Sequence, residues 1–359
     1  MANVKFDKAA IKGIVTVVPQ HIKSIDDEVE LYGGNKKQIE RIKKAIGLDK
    51  RRVTDEATTT SDLCFQAALQ LLEGLSLDKN EIDGLIFVTQ TPDHFQPSNA
   101  AILHGRLALE KNCVSFDVNL GCSGYVYGLW MAHMMIASGT CTKVLLLAGD
   151  TISKYVNPRD RSAAPLFGDA GSATLIESAK DNVMSFFSLH TDGAGSDFIN
   201  VPAGAFRCPS SPETAEEIED DDGNWRSKND LYMSGGDVFN FSIKTEPAAI
   251  KEVLEYSGLL AENIDYFVFH QANKYIISNI AKRLKLPMEK VPCETVSKYG
   301  NQSSASIPAT ISDSLSESVS GSTKSLVLSG FGVGLSWASA VVMLKNIYSP
   351  EIQIYEGGE

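Results

Sequence analysis

The chain has 359 residues, of which 43% are hydrophobic and 22% charged, and its formal net charge is −12. This length allows two fused domains or one large α/β body, the composition is that of a globular protein, and the acidic balance excludes general nucleic-acid binding, which needs clustered cations to neutralise phosphates. No apolar run approaches the roughly 18 residues of a membrane span. The opening MANVKFDKAA lacks the apolar stretch of a secretory signal, so a cytoplasmic location is expected. Six cysteines (64, 113, 122, 141, 208 and 293) are scattered without a Cys-x-x-Cys pair or a histidine at metal spacing, so no metal site is read.

Taken in chain order, the first distinctive stretch is residues 36–52, KKQIERIKKAIGLDKRR, with eight Lys/Arg. EIDGLIFVTQ (81–90) then carries a short continuous apolar run, as expected for a strand covered on both faces. DVNLGCSGYVYG (117–128) sets Cys122 between Gly121 and Gly124, ahead of GYVYGLWMAHMMIAS (124–138). That segment is apolar nearly all round and predicts a deeply buried helix. SGTCTKVLLLAGD (138–150) predicts a further buried strand. ETAEEIEDDD (213–222) follows CPSSP and precedes DGNW, and reads as a solvated surface insertion spanning about 208–230.

The second part of the chain repeats the first. NIDYFVFHQA (263–272) resembles EIDGLIFVTQ, and SGSTKSLVLSGFG (320–332) resembles SGTCTKVLLLAGD. Each half runs through a helix, Ile-Asp, a buried strand, a second helix, then Ser-Gly and another buried strand. Such duplication predicts an α/β architecture of two similar mixed sheets sandwiching buried helices, with halves at 1–178 and 179–359.

Three polar groups fall at comparable places in this frame. Cys122 opens the buried helix of the first half, Asn301 in KYGNQSSASIPA opens the corresponding helix of the second, and His270 in FVFHQANK ends a strand. Pseudo-twofold symmetry brings the two helix starts face to face, with the histidine between them. A thiolate attacks a thioester carbonyl, and a helix N-terminus favours the thiolate. His270 and Asn301 can donate hydrogen bonds to an enolate oxygen, while amides at Cys122 and in GFGVG (330–334) can form an oxyanion hole. Each signal alone is weak. A lone cysteine is usually a small core residue, a strand-end histidine is usually structural, and an Asn after Gly usually makes a turn.

Together the motifs are specific. GCSGYVYGL around Cys122, HQANKYII at His270, YGNQSSASIP at Asn301, LFGDAGSATLI (166–176), MSGGDVF (233–239) and GFGVGLSW (330–337) stand in the order of a known family. From about residue 10 to 345, the chain resembles the ketoacyl-acyl-carrier-protein synthase III group of the thiolase-like condensing enzymes. The resemblance implies a five-layered α-β-α-β-α fold and a decarboxylative Claisen condensation. Cys122 would take an acyl group from a thioester primer, and His270 and Asn301 would stabilise the enolate of a malonyl extender on acyl carrier protein. The amides of Cys122 and Val333 would hold the tetrahedral oxyanion. No metal or cofactor is implied beyond the CoA or carrier-protein thioesters, and a homodimer is expected, paired through the edge segment 110–120.

The chain departs from the family around its substrate. Where acyl-CoA-loading members have a tryptophan and an arginine to clamp adenine, this chain has Arg41 and Ala45 in RIKKA (41–45). Tyr275, beside Lys274, replaces a further family arginine, whereas Arg161 in RDRSAAP matches one near the adenine. These changes favour primer delivery by a carrier protein. Gln96, after Phe95, stands where an aromatic residue usually crosses the dimer interface to close the acyl pocket. The basic run with Lys274, Lys282, Arg283 and Lys285 is expected to rim the tunnel and steer an acidic carrier protein. Acyl transfer to oxygen or nitrogen, condensation without decarboxylation, and a silent partner subunit remain as other readings on this fold. The intact Cys–His–Asn set argues against the last.

Overall fold

The computed structural model describes residues 2–357. Two sheets form its body. The first has six strands in the order Gln353–Ile354, Ala9–Val18, Ala170–Ser178, Lys143–Asp150, Gly84–Val88, Val114–Val118. The second has five: Ala2–Phe6, Ser185–Thr191, Ser336–Lys345, Thr323–Gly332, Tyr266–Phe269. The repeat seen in the sequence is a structural repeat. Gly84–Val88 runs parallel to Lys143–Asp150, as Tyr266–Phe269 does to Thr323–Gly332, and each longer strand then pairs antiparallel with the next strand of its sheet.

Helices complete the layers. Helix α1 (Lys36–Ile46) lies at the rim, and α2 (Thr60–Gly74) and α3 (Asn99–Arg106) cover the outside of the first sheet. Helix α4 (Gly124–Ala137) lies between the sheets, and α5 (Gly235–Ser257) and α6 (Lys274–Leu284) cover the outside of the second. The short α7 (Thr295–Tyr299) leads to α8 (Ser306–Ser314), which joins α4 in the middle layer. The result is the five-layered α-β-α-β-α arrangement expected from the sequence. Strand Lys143–Asp150 shows why its sequence is unbroken apolar. Val144, Leu146 and Ala148 pack in the middle layer while Leu145 and Leu147 pack outside, so neither face tolerates a polar residue.

Two features differ from the sequence reading. The cut at residue 178 falls between the sheets, but the termini cross it: Ala2–Phe6 pairs with Ser185–Thr191 in the second sheet, and Gln353–Ile354 pairs with Ala9–Val18 in the first. The acidic stretch is exposed, as expected of a surface insertion, but it is ordered rather than irregular. It folds as a hairpin of Ile218–Glu219 against Trp225–Arg226, clamped by arginines. Arg226 pairs with Asp160 and Asp220, Arg159 pairs with Glu217 and lies 4.5 Å over the Trp225 ring, and Arg161 donates to the Asp222 carbonyl. Among the described residues no helix is long and apolar enough to cross a membrane.

Candidate active site

Cys122 sits in a turn closed by the Gly124 N–H donating to the Gly121 carbonyl at 2.7 Å, just before α4. The turn leaves no room for side chains. A Cβ on Gly124 would stand 2.5 Å from Val88 Cγ1, and one on Gly332 would stand 2.8 Å from the Cys122 sulfur. Glycine at both points lets the thiol lie against the strand Thr323–Gly332, where the amides of Cys122 and Val333 both reach the sulfur. The thiol is not poised as a free thiolate, as its position by a helix start had implied. Burial, reinforced by the charge of Asp150, pushes it up to about 12, outweighing the pull of the two amides and of Ser303.

His270 follows directly on strand Tyr266–Phe269 and is 1% exposed. Ser306 Oγ accepts the Gln271 N–H at 3.3 Å and lies 2.7 Å from His270 Nδ1. This contact fixes the orientation of the ring by holding Nδ1 against the Ser306 hydroxyl. The ring also bonds the backbone of Ser303, and burial holds it down to about 3, so it is neutral. Asn301 is pinned across from the first half: its N–H donates to the Leu166 carbonyl at 2.8 Å and its carbonyl accepts from Gly168 at 3.0 Å. Its Oδ1 accepts the Ser303 N–H at 3.0 Å, which leaves its two side-chain N–H groups as donors. A neutral imidazole N–H and a carboxamide thus offer hydrogens beside one sulfur, an arrangement suited to an anionic oxygen.

These groups share one cavity of about 260 Å³, lined by Cys122, His270, Asn301, Ser303, Gly332 and Val333 and walled by apolar side chains such as Phe167, Leu231 and Met233. Comparison with known proteins shows the family of the chain. Residues 116–193 match the family model for 3-oxoacyl-[acyl-carrier-protein] synthase III, and residues 254–344 match the model of its C-terminal part. A Campylobacter jejuni protein named as a 3-oxoacyl-[acyl-carrier-protein] synthase 3 is 43% identical, with 98% of each chain covered. A β-ketoacyl-[acyl-carrier-protein] synthase III of Caldanaerobacter subterraneus is 36% identical over 84% of this chain and 88% of its own. The crystal structure of a 3-oxoacyl-(acyl-carrier protein) synthase from Burkholderia xenovorans superposes with a TM-score of 0.91 at 38% identity, covering 98% of both chains. The chain belongs to the 3-oxoacyl-[acyl-carrier-protein] synthase III family. It is accordingly a condensing enzyme of the acyltransferase type with a thiolase-like fold.

The family's other expected contacts divide into two groups. Toward the mouth, Ile46 at the end of α1 and Ala272, Asn273 and Ile276 at the start of α6 line the cavity, and a Cβ on Gly47 would meet Lys274 Cβ at 2.5 Å, so the basic helices α1 and α6 do meet there. Several of their cations are engaged within the chain: Lys274 with Glu294, Lys43 with Asp26 and Asp49, and Arg283 with the Ile243 carbonyl. Arg41, Lys44, Lys282 and Lys285 are exposed. Arg161 sits under the acidic hairpin, its guanidinium against Gly223 as well as Asp222. Phe95 and Gln96 do not reach this chain's own cavity. Phe95 is 72% exposed and packs on Phe206, itself 88% exposed, at a separate depression shared with Gln96 and Tyr155. Sequence reasoning missed three residues that organise this family site: Ser303, Ser306 and Asp150. The two serines lay inside the quoted SSASIP run, and Asp150 was visible as a lone acid closing an apolar strand.

Proposed function

We propose that this chain catalyses a decarboxylative Claisen condensation. Cys122 accepts the acyl group of a primer thioester. A malonyl group on acyl carrier protein enters, loses CO₂, and the resulting enolate attacks acyl-Cys122 to give a 3-oxoacyl-acyl-carrier-protein. His270 Nε2–H and Asn301 Nδ2–H stabilise the enolate oxygen, and the amides of Cys122 and Val333 hold the tetrahedral oxyanion. The chemistry uses no metal or cofactor beyond the thioesters. The observation that carries this reading is that a neutral His270 ring and Asn301, whose Oδ1 is taken by the Ser303 N–H so that its side-chain N–H groups remain as donors, line one cavity with Cys122.

The primer comes from a carrier protein rather than from CoA. The acidic hairpin holds Arg161, so that guanidinium is engaged instead of awaiting a nucleotide, and its carboxylates repel the phosphates of CoA. The exposed cations of α1 and α6 favour an acidic carrier protein on the other side of the mouth. The chain works as a cytoplasmic homodimer, for which the edge strand Val114–Val118 and the exposed Phe95–Phe206 pair supply the surfaces. Intact mass after incubation with a panel of acyl-CoA and acyl-carrier-protein donors tests donor and primer together. A mass gain on Cys122 from carrier-protein donors, followed by CO₂ release and a 3-oxoacyl product on adding malonyl-acyl-carrier-protein, is the expected result. Acyl loss to an oxygen or nitrogen acceptor without CO₂ release would overturn the condensation, and equal loading from CoA would overturn the donor choice.

A further inference from the structure

The backbone of Asn301 is held by the first half, through Leu166 and Gly168, but the direction of its carboxamide depends on the turn that follows. The Ser303 N–H donates to Asn301 Oδ1 at 3.0 Å from a residue at φ +48°. A non-glycine residue keeps that left-handed conformation only where its surroundings impose it. Gln302 does not impose it, since its side-chain oxygen and nitrogen are both buried without a partner. The anchor lies one residue further on. Ser304 is 1% exposed, and its N–H and its hydroxyl both donate to Oδ2 of Asp150, at 3.2 and 2.8 Å.

Asp150 belongs to the first half, where it is fully buried and closes strand Lys143–Asp150. Its other oxygen, Oδ1, accepts the Gln90 N–H at 2.7 Å and the hydroxyls of Thr89 at 3.2 Å and Thr91 at 3.4 Å. Gln90 lines the cavity, and its Oε1 rests on the Cys122 turn, 2.0 Å from where a Cβ on Gly121 would stand. One carboxyl group therefore joins the loop that borders the thiol to the turn that orients the carboxamide. Its five partners are neutral donors and none is a cation. Burying such a group without a counter-ion is unfavourable unless it is fully hydrogen-bonded, so these five contacts hold it, and it holds them, in one arrangement.

We propose that Asp150 is a positioning residue for decarboxylation: by gripping Ser304 it fixes the Ser303 turn and keeps the side-chain N–H groups of Asn301 aimed at the enolate oxygen. This rests on the reading of Asn301 as a donor to that enolate. Asp150 touches no reacting atom and exchanges no proton; it acts through Asn301. Acylation of Cys122 forms no enolate, so it does not depend on the grip.

Ser304→Ala removes the 2.8 Å bond and leaves the contacts of Asp150 with the first half in place. Asp150→Asn is the stronger change, because it turns an N–H toward one of the two sets of donors. The turnover number and KM for CO₂ release from malonyl-acyl-carrier-protein are measured beside acylation of Cys122, read by intact mass. Misplacing a reacting group by about 1 Å costs about a hundredfold. The kcat for CO₂ release should fall by about that much in Asp150→Asn and about tenfold in Ser304→Ala, with KM within about threefold of the wild type. Acylation in Ser304→Ala should also stay within about threefold. In an Asn301→Ala background neither substitution should lower CO₂ release by more than about twofold further, since the group they position is gone. Losses that multiply in that background, a parallel fall of acylation and CO₂ release in Ser304→Ala, or an unchanged kcat in both variants would overturn the positioning role alone. A wild type that releases no CO₂ would overturn the decarboxylating reading and this role with it.

Discussion

In the first half, Asp83 accepts the Thr142 and Lys143 N–H groups at 2.7 and 2.8 Å; in the second, Asp265 accepts the Ser325 N–H at 2.7 Å. The register beyond these clamps is the same, with Gly84 facing Val144 as Tyr266 faces Leu326. Counting from there, Val88 corresponds to His270 and Asp150 to Gly332. At the helix starts Val88 Cγ1 presses on Gly124, with 2.5 Å to a Cβ there, where His270 Nδ1 bonds Ser306 at 2.7 Å. Asp150 bonds Ser304 Oγ at 2.8 Å, where Gly332 abuts the sulfur of Cys122. The same two contacts recur, apolar or tight in one half and hydrogen-bonded in the other. Duplication supplied a pair of equivalent positions, and divergence gave the thiol and the buried acid to one half, the imidazole and the carboxamide to the other.

Exchanging residues between the halves tests this directly. His270→Val with Ser306→Gly rebuilds the Val88–Gly124 contact in the second half, so the fold should hold. Removal of an oxyanion donor costs about a hundred- to a thousandfold; CO₂ release from malonyl-acyl-carrier-protein should fall by that much while acylation of Cys122, read by intact mass, stays within about tenfold. Equal loss of both would show that the ring serves the thiol, and the division of labour between halves would be wrong. Gly332→Ala is gentler. Its Cβ would stand 2.8 Å from the sulfur, so the turn must yield. Overpacking of this kind costs about 1–3 kcal/mol, so acylation should slow about tenfold while the melting temperature drops by only a few degrees. An unchanged rate would mean that the sulfur does not need this close approach.

The parts of this comparison that the sequence displayed are those written in runs. Four buried strands were legible because a strand covered on both faces is predominantly apolar, and the clamping Ile-Asp pairs marked the starts of two of them. Cys122, His270 and Asn301 were legible through their motifs, and one cavity joins them. What stayed hidden depends on single residues or on distant partners. Ser303 is one serine among several, and only its positive φ sets it apart. That the exposed acidic stretch is an ordered hairpin was hidden because Arg159, which pairs with Glu217, and Arg161, which donates to the Asp222 carbonyl, belong to another loop. The exchange of terminal strands left no mark, since ANVKF and a two-residue strand carry no periodic signal. The thiol's upward shift depends on desolvation, which local motif chemistry does not register.

The outer layers of the halves differ by one further exchange, and its effect is the smallest and the most sharply dependent on pH. Leu147 faces Phe87 across its sheet as Ser329 faces Phe269, so the two correspond. Leu147 packs in an apolar cluster, whereas Ser329 donates to Glu246 of α5 at 2.5 Å. Glu246 is fully buried, its Oε1 has no partner, and burial pushes it up to about 8 from an ordinary 4.5. Between those two values the native chain holds a proton that the unfolded chain has released. Stability therefore falls as pH rises through this window, and the cost is complete above it. Glu246→Gln keeps the shape and cannot ionise. Its melting temperature should match the wild type near pH 5 and exceed it at pH 9 by several degrees, the equivalent of a few kcal/mol. A gap that stays constant between those conditions would mean that Glu246 keeps one charge state throughout. The outer layers would then differ in polarity alone, and the buried acid of the second half would be no more than a hydrogen-bond acceptor for Ser329.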